Sequence, residues 1–333
     1  MLSFRSMRIL QSRRSFVFSS LSSSDNGTSE NVDANRKAQT VRLQRFYVRP
    51  ETFETSNFSL SKEDSRHALK SLRLRVDDAI EVCDGQGRVK VARLVDVDSR
   101  RTDATFEMMS SKEENFHPFP GRVKWDVVCA CAGIKGERSS VLVEKLTELN
   151  GRALVPLLTS RSGKIGSASA SGKTASKGGR SSDNSFGRSK RRKDEEEEEE
   201  ETGKELRWQR VALAASKQSL RAHVFGIEKP VGFNDFVSST YFREATCRFV
   251  AAAGGADFAE KLRGVKEDIL KNDDENTRER YGLIIIGPEG DFDDDEMKVL
   301  MDTCETISLG DLRLRTETAA IASLSIAQMI TNV

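Results

Sequence analysis

The run Tyr281-Gly-Leu-Ile-Ile-Ile286 has no polar side chain after its first residue and stops at Gly287-Pro-Glu-Gly290. A short apolar run closed by turn residues is the pattern of a strand buried on both faces. A sheet offers that environment when helices cover both of its sides. The same alternation occurs upstream. Val123-Lys-Trp-Asp-Val-Val-Cys-Ala-Cys-Ala reads as a buried strand, Val141 to Leu149 as a helix closed by Asn150-Gly151, and Ala153 to Leu158 as the next strand. Strand, helix, strand in that order implies a parallel sheet, so the second half of the chain is predicted to be α/β. The segment from Arg207 to Leu220 has amphipathic helical spacing. Asp293-Asp-Asp-Glu296 has the spacing of a capping box, Thr306 to Leu309 reads as a strand, and Thr318 to Ile330 as a helix apolar almost all round. Such a helix is buried in a core or in a dimer interface. Ala256 to Arg280 is charged and only weakly helical, and reads as a surface embellishment.

Before Pro120 the pattern is different. Asp64 to Leu74 places Ala68, Leu69 and Leu72 at helical spacing. Ala79 to Cys83 runs into Asp84-Gly-Gln-Gly and returns through Val89 to Val95, a hairpin signal. A small β-barrel or sandwich over residues 41–120 follows, ahead of an α/β domain over 121–333.

Two stretches fit neither domain. The first 40 residues carry Arg5, Arg8, Arg13 and Arg14, many serines and no acid before Asp25. That composition matches an organelle transit peptide, mitochondrial or plastid, rather than a folded element. Residues 162–205 are rich in Ser, Gly and Lys and then read Lys190-Arg-Arg-Lys-Asp followed by seven glutamates. Such a segment cannot bury enough apolar surface to order itself and is expected as a disordered loop insertion. Together they explain why hydrophobic residues make up only 37% and charged residues 32% of the 333. The formal net charge of +1 points to no partner by itself, so a nucleic-acid binder would need a local basic face. Five cysteines without a CxxC pair and three histidines offer little for a metal site. No stretch reaches the roughly 18 apolar residues of a membrane span.

Gly166 to Thr174, GSASASGKT, is one residue too long for a P-loop and no helix pattern follows it. Asp84-Gly-Gln-Gly is better explained as a hairpin turn. The informative pair is Ile286-Gly-Pro-Glu-Gly290 and Ser308-Leu-Gly310, each directly after a predicted strand. Ligands of open parallel sheets bind at the carboxyl ends of strands, and glycines there let backbone N–H groups approach closely.

IGPEGDFDDDE, a helix, and SLGDLRLRTETAA together resemble the C-terminal motifs of the 16S ribosomal RNA uracil-N3 methyltransferase family (ribosomal RNA small subunit methyltransferase E), of the SPOUT superfamily. Arg45-Phe-Tyr, His67 with Leu72-Arg-Leu74, Asp84-Gly85, Glu144-Lys-Leu-Thr-Glu-Leu149, Val155 to Arg161, Arg207-Trp208 and Ala214 to Gln218 with Arg221 extend the resemblance over roughly Arg42 to Val333, the insertions apart. The chain departs from the family at four places. Leu312-Arg313 stands where arginine then an aliphatic residue is usual, Lys217 where glutamate is, Leu220 where glycine is, and Phe225 where proline is.

The resemblance implies a PUA-like RNA-binding barrel followed by a trefoil-knotted parallel-sheet domain that binds S-adenosylmethionine. It implies a homodimer acting on small-subunit ribosomal RNA, with neither metal nor membrane. The cofactor loops would comprise Ile286, Gly287, Pro288, Glu289, Gly290, Leu309 and Gly310, with Leu314 and Thr318 in the closing segment. Arg315 would stabilise negative charge on the uracil, or else pair structurally with Glu317. Glu289 or Glu317 would accept the N3 proton, unless Glu289 only caps its loop. Arg45, His67, Arg73, Arg161 and Arg221 would contact RNA. The rival expectations are an inactive RNA-binding relative of the same fold, a SPOUT methyltransferase with another RNA target, and a scaffold organised by the basic and poly-glutamate stretch.

Overall fold

The computed structural model describes residues 43–98, 100, 102–109, 115–162, 203–271 and 280–332. The expected leader, the GSASASGKT stretch and the basic and poly-glutamate runs lie outside these residues. The expected insertion at 162–205 is trimmed at both ends: Ser162 is buried, and residues from 203 already belong to a helix. Arg45–Val333 form one compact unit built on two sheets.

The first sheet comprises β1 (Arg45–Tyr47), β2 (Asn57–Ser59), β3 (Ala79–Cys83), β4 (Arg88–Val97), β5 (Ala104–Met108) and β6 (Asn115–Phe116), in the order β1-β3-β4-β5-β2 with β6 on β4. All its pairs are antiparallel except β1 with β3. Ile80 and Val82, Ala92 and Leu94, and Ala104 and Phe106 point inward at period two and share one core with Phe46 and Phe58. Hydrogen bonding leaves this barrel open between β1 and β2. The 3-10 turn Pro50–Glu54 that joins those strands puts Phe53 into the same core. After β2 comes α1 (Lys62–Arg66), capped by Ser61 and continued by a π-turn at His67–Ser71.

The second sheet is parallel throughout. Its strands are β7 (Lys124–Cys129), β8 (Ala153–Leu158), β9 (Gly226–Ile227), β10 (Val231–Gly232), β11 (Cys247–Asp257), β12 (Tyr281–Ile286) and β13 (Glu305–Ser308). The order is β10-β8-β7-β12-β11-β13, with β9 also on β8. Successive residues serve opposite faces. Val127, Phe249 and Ile284 pack with α2 (Glu137–Glu148), α3 (203–218), α6 (Phe258–Lys271) and α8 (Thr316–Thr331). Val128, Val250 and Ile285 pack with α4 (Phe233–Ser238), α5 (Thr240–Arg243) and α7 (Asp294–Thr303). Each such side chain contributes about 1.5–3 kcal/mol when fully buried, which is why β12 tolerates no polar residue between Leu283 and Ile286.

One expectation is corrected here. Ala256 to Lys271 is not an embellishment: β11 ends at Asp257 and α6 begins at the next residue, while 272–279 lie outside the described residues. Phe258, Leu262 and Ile269 are buried in the main core and Val265 packs against it.

Residues 217–224, from the last turn of α3 onward, join the two sheets. Gly87 N donates to Ala222 O at 3.0 Å and Val224 N to Gly85 O at 2.9 Å. Lys217 pairs with Asp64 at 2.7 Å, so one departure from the family pattern makes an ion pair with the barrel. Leu220 keeps φ at +55°, a left-handed conformation that favours the usual glycine and costs a leucine about 1 kcal/mol or more. Phe225 is buried in the main core.

Candidate active site

The carboxyl ends of β7, β12, β11 and β13 form one edge. Ala130 N donates to Ile286 O at 2.9 Å, carrying the β7–β12 pairing one residue past β7. Gly287-Pro-Glu-Gly290 then turns, with Asp291 N bonded to Pro288 O at 2.9 Å. It is locked below by a capping box between Asp293 and Glu296 that opens α7. Glu296 also accepts from Ser160 N at 2.8 Å, which ties the loop after β8 to the same place.

The second loop leaves β13 through Leu309 and Gly310. Gly310 has φ +109° and no heavy atom within 4 Å of the position a Cβ would take, so its backbone faces open space. Leu309 and Leu314 are half-buried against the core, whereas Leu312 is 83% exposed. Arg313, the other member of that departing pair, donates to Glu289 O at 2.6 Å and joins the two loops. Thr316 Oγ1 donates to Gly287 O at 3.2 Å and joins the start of α8 to the first loop. The two glycine loops expected from the sequence therefore meet; Leu314 packs with Leu309 against the main core, whereas Thr318 lines the groove between α2 and α8.

Arg315 is exposed, and its guanidinium has no hydrogen bond or ion pair among the described residues. The alternative of an Arg315–Glu317 ion pair is not formed. Glu317 is held instead by Arg138 of α2, at 3.2 Å to Oε1, and the same nitrogen reaches Glu289 Oε1 at 3.4 Å. The two carboxylates differ in exposure, 11% for Glu317 and 66% for Glu289. Arg138 escaped the sequence reading, as did β11. Ala251 and Ala256 both pair with Ile307, so residues 252–255 leave the ladder beside the two loops.

The expected RNA contacts divide. Arg161 is exposed but donates to Gly290 O and Phe292 O, both at 3.2 Å, and so braces the first loop. Arg45 is committed to Glu81 at 2.7 Å and to Leu220 O at 2.5 Å. Arg221 is buried and donates to Thr147 O at 2.7 Å and Gly151 O at 2.8 Å. Burial pushes its guanidinium down to about 10. Arg45 and Arg221 are thus internal ties, not exposed phosphate ligands. His67, 6.2 Å from the Phe46 ring, and Arg73, at φ +56°, are exposed on the barrel.

All five cysteines carry free thiols. Among the described residues no His, Cys, Asp and Glu cluster could hold a metal ion, and no helix is long and apolar enough to cross a membrane.

A sequence profile described as an RNA methyltransferase domain matches residues 186–328, which include both loops. One described as an RNA methyltransferase PUA domain matches residues 60–107 of the barrel. The chain is 25% identical over 295 residues to ribosomal RNA small subunit methyltransferase E of Synechocystis, covering 88% of this chain and 80% of that one. It is 22% identical to the protein of the same name from Rickettsia conorii, over 87% of this chain and 97% of that one. Over most of its length the chain is similar to ribosomal RNA small subunit methyltransferase E proteins. The fold agrees with that similarity. Its structure superposes on a methyltransferase E of Neisseria gonorrhoeae solved with bound S-adenosylmethionine, with a TM-score of 0.57 at 19% identity, covering 86% of this chain and 98% of the other.

Proposed function

We propose that this protein transfers a methyl group from S-adenosylmethionine to N3 of a uridine in small-subunit ribosomal RNA, and that it does so in a mitochondrion or chloroplast. The observation that carries the reading is the meeting of Gly287–Gly290 and Leu309–Gly310 at one sheet edge, with an exposed Arg315 that has no partner among the described residues beside them. The organelle rests on the arginine- and serine-rich first 40 residues.

The edge suits that cofactor. Open backbone at Gly310 and half-buried Leu309 and Leu314 offer peptide groups and an apolar wall to an adenosine. The buried Glu317 Oε2 has no partner among the described residues and offers an acceptor to its hydroxyl or amino groups. When bound, the cofactor supplies a methyl group on a sulfonium, whose in-line displacement depends mostly on positioning.

The chain's own residues would do the rest. Uracil N3 carries a proton that pairs in a duplex, so the base must be presented unpaired. The Arg315 guanidinium would face the negative charge that develops on the uracil oxygens. Glu317 or Glu289 would take the proton. Exposed His67 and Arg73 would meet RNA from the barrel. A groove of about 440 Å³ between α2 and α8, lined by Leu149, Ile321 and Ala322, suits a second copy of the chain. In the SPOUT-type reading the two loops belong to a trefoil knot.

Isothermal titration of S-adenosylmethionine into the full chain tests this, with mass-spectrometric mapping of methylated uridines in organellar small-subunit RNA. Saturable binding is expected in the wild type. In Gly310→Arg, where a large side chain enters the open loop at positive φ, binding is expected to fall roughly 100-fold or more. A folded wild type that binds the RNA but never the cofactor would overturn the enzyme reading.

A further inference from the structure

Three arginines from three elements converge on the first loop. Arg313 holds it at Glu289 O, and Arg161 at Gly290 O and Phe292 O. These two grip backbone. Arg138 grips side chains, bridging Glu289 and Glu317 through a single nitrogen.

Arg138 lies in the first turn of α2, two residues after Gly136. Gly136 has φ +61° and open space where a Cβ would stand, a conformation that lets the chain turn sharply into the helix. That turn brings the guanidinium to the start of α8. There Glu317 faces the core, with Oε1 on Arg138 and Oε2 buried without a partner among the described residues. A carboxylate oxygen removed from water and given no donor is costly, and native structures keep one where a donor arrives from elsewhere. Arg138 decides which oxygen is held and which is left open.

We propose that Arg138 is a positioning residue that fixes Glu317 so that its second oxygen accepts a hydrogen bond from a hydroxyl or amino group of the bound ligand. This rests on the reading of the edge as an S-adenosylmethionine site, since the ribose and the ammonium group of that molecule are donors of this class. Glu289, mostly exposed, is the lesser partner of the bridge.

The test uses the full chain and the variants Arg138→Ala, Arg138→Lys and Glu317→Gln. It reads cofactor affinity by calorimetry, the thermal midpoint, and amide hydrogen exchange over residues 287–292 and 316–319. Arg138→Ala should weaken binding roughly tenfold to hundredfold, the range for a hydrogen bond to a charged group, with the midpoint nearly kept. Arg138→Lys should recover part of the loss. The double variant Arg138→Ala/Glu317→Gln should be no weaker than the worse single one, because both break one unit. Wild-type affinity in Arg138→Ala, full additivity, or a loss that follows the thermal midpoint without recovery in the lysine variant would each overturn the proposal. If the wild type binds no cofactor, the site reading falls separately and exchange decides the positioning role. Exchange roughly tenfold faster in Arg138→Ala upholds the hold on both segments, and unchanged exchange refutes it.

Discussion

The two edges of the parallel sheet are built to opposite rules. At the amino edge Asp126 is buried and takes two hydrogen bonds from Arg152 and one from the Tyr241 hydroxyl at 2.5 Å. Arg152 lies 4.7 Å over the Tyr281 ring, and the Tyr281 hydroxyl donates to Tyr241 O at 2.7 Å. Burial, then the Asp126 charge, pushes the Tyr241 phenol far above its ordinary value, so it stays a donor at any ordinary pH. Each of these groups is answered by another. At the carboxyl edge the chain turns through glycines, leaves the Arg315 guanidinium in solvent and buries a carboxylate oxygen that has no donor among the described residues. One sheet thus carries a locked edge and an edge whose groups await a partner, the division expected where a rigid frame presents a site.

The comparison breaks first at Asp126. Asp126→Ala would strand the Arg152 guanidinium and the Tyr241 hydroxyl, and removing one member of a buried ion pair costs about 3–5 kcal/mol. Urea denaturation should show a loss of that size, while cofactor affinity of the folded fraction stays within about threefold. A stable variant that fails to bind would mean that the amino edge shapes the site and does not merely support the fold.

Arg315→Ala is the mirror experiment. The side chain is exposed and unpaired, so stability should move by less than about 0.5 kcal/mol. Methyl transfer should fall roughly 100- to 1000-fold, as when a charge-stabilising donor is removed. Urea denaturation and single-turnover transfer to a ribosomal RNA fragment measure the two quantities. A variant that loses stability instead would place Arg315 with the structural arginines.

The locked frame was only partly legible in the sequence, and the open edge more so. Ile284 and its neighbours announce a buried strand because every one is apolar, and Gly287 and Gly310 announce turns because few residues replace glycine there. β11 stays hidden because Ala251 to Ala256 are small and its ladder is broken between Ala251 and Ala256. α6 stays hidden because its charges outnumber the stripe Phe258, Leu262, Val265 and Ile269, although that stripe has regular four- and three-residue steps. Arg138 carries no local signal. Its role exists only because the start of α2 meets the start of α8, which is a long-range fact. Arg45 and Arg221 misled for the same reason: exposed phosphate ligands and internal ties look alike until the acceptors Glu81, Leu220 O, Thr147 O and Gly151 O are in place.

The smallest effect expected belongs to the tie between the locked edge and the barrel. Residues 219–224 lead into β9 and carry His223, whose Nε2 meets His117 O at 2.8 Å and whose backbone bridges to Gln86. Burial lowers the His223 value below the ordinary 6.5, with Arg221 and Lys124 adding to the fall against the backbone hydrogen bond to His117 and the charge of Asp84. A histidine depressed in the folded state is charged more readily in the unfolded one, so its stability contribution is present above about 6.5 and declines as pH falls through that value. Asp84, held below its ordinary value by hydrogen bonds from Arg88 and Gln86 that outweigh its burial, stays ionised through this window and does not contribute to the change. The thermal midpoint should therefore fall between pH 7.5 and 5.5, and His223→Gln should flatten that fall. Cofactor affinity, set at the far edge, should follow pH alike in both proteins. A His223→Gln protein whose midpoint still falls as steeply would move the pH-sensitive element out of this tie, and one whose cofactor affinity changed with it would show that the two edges are coupled.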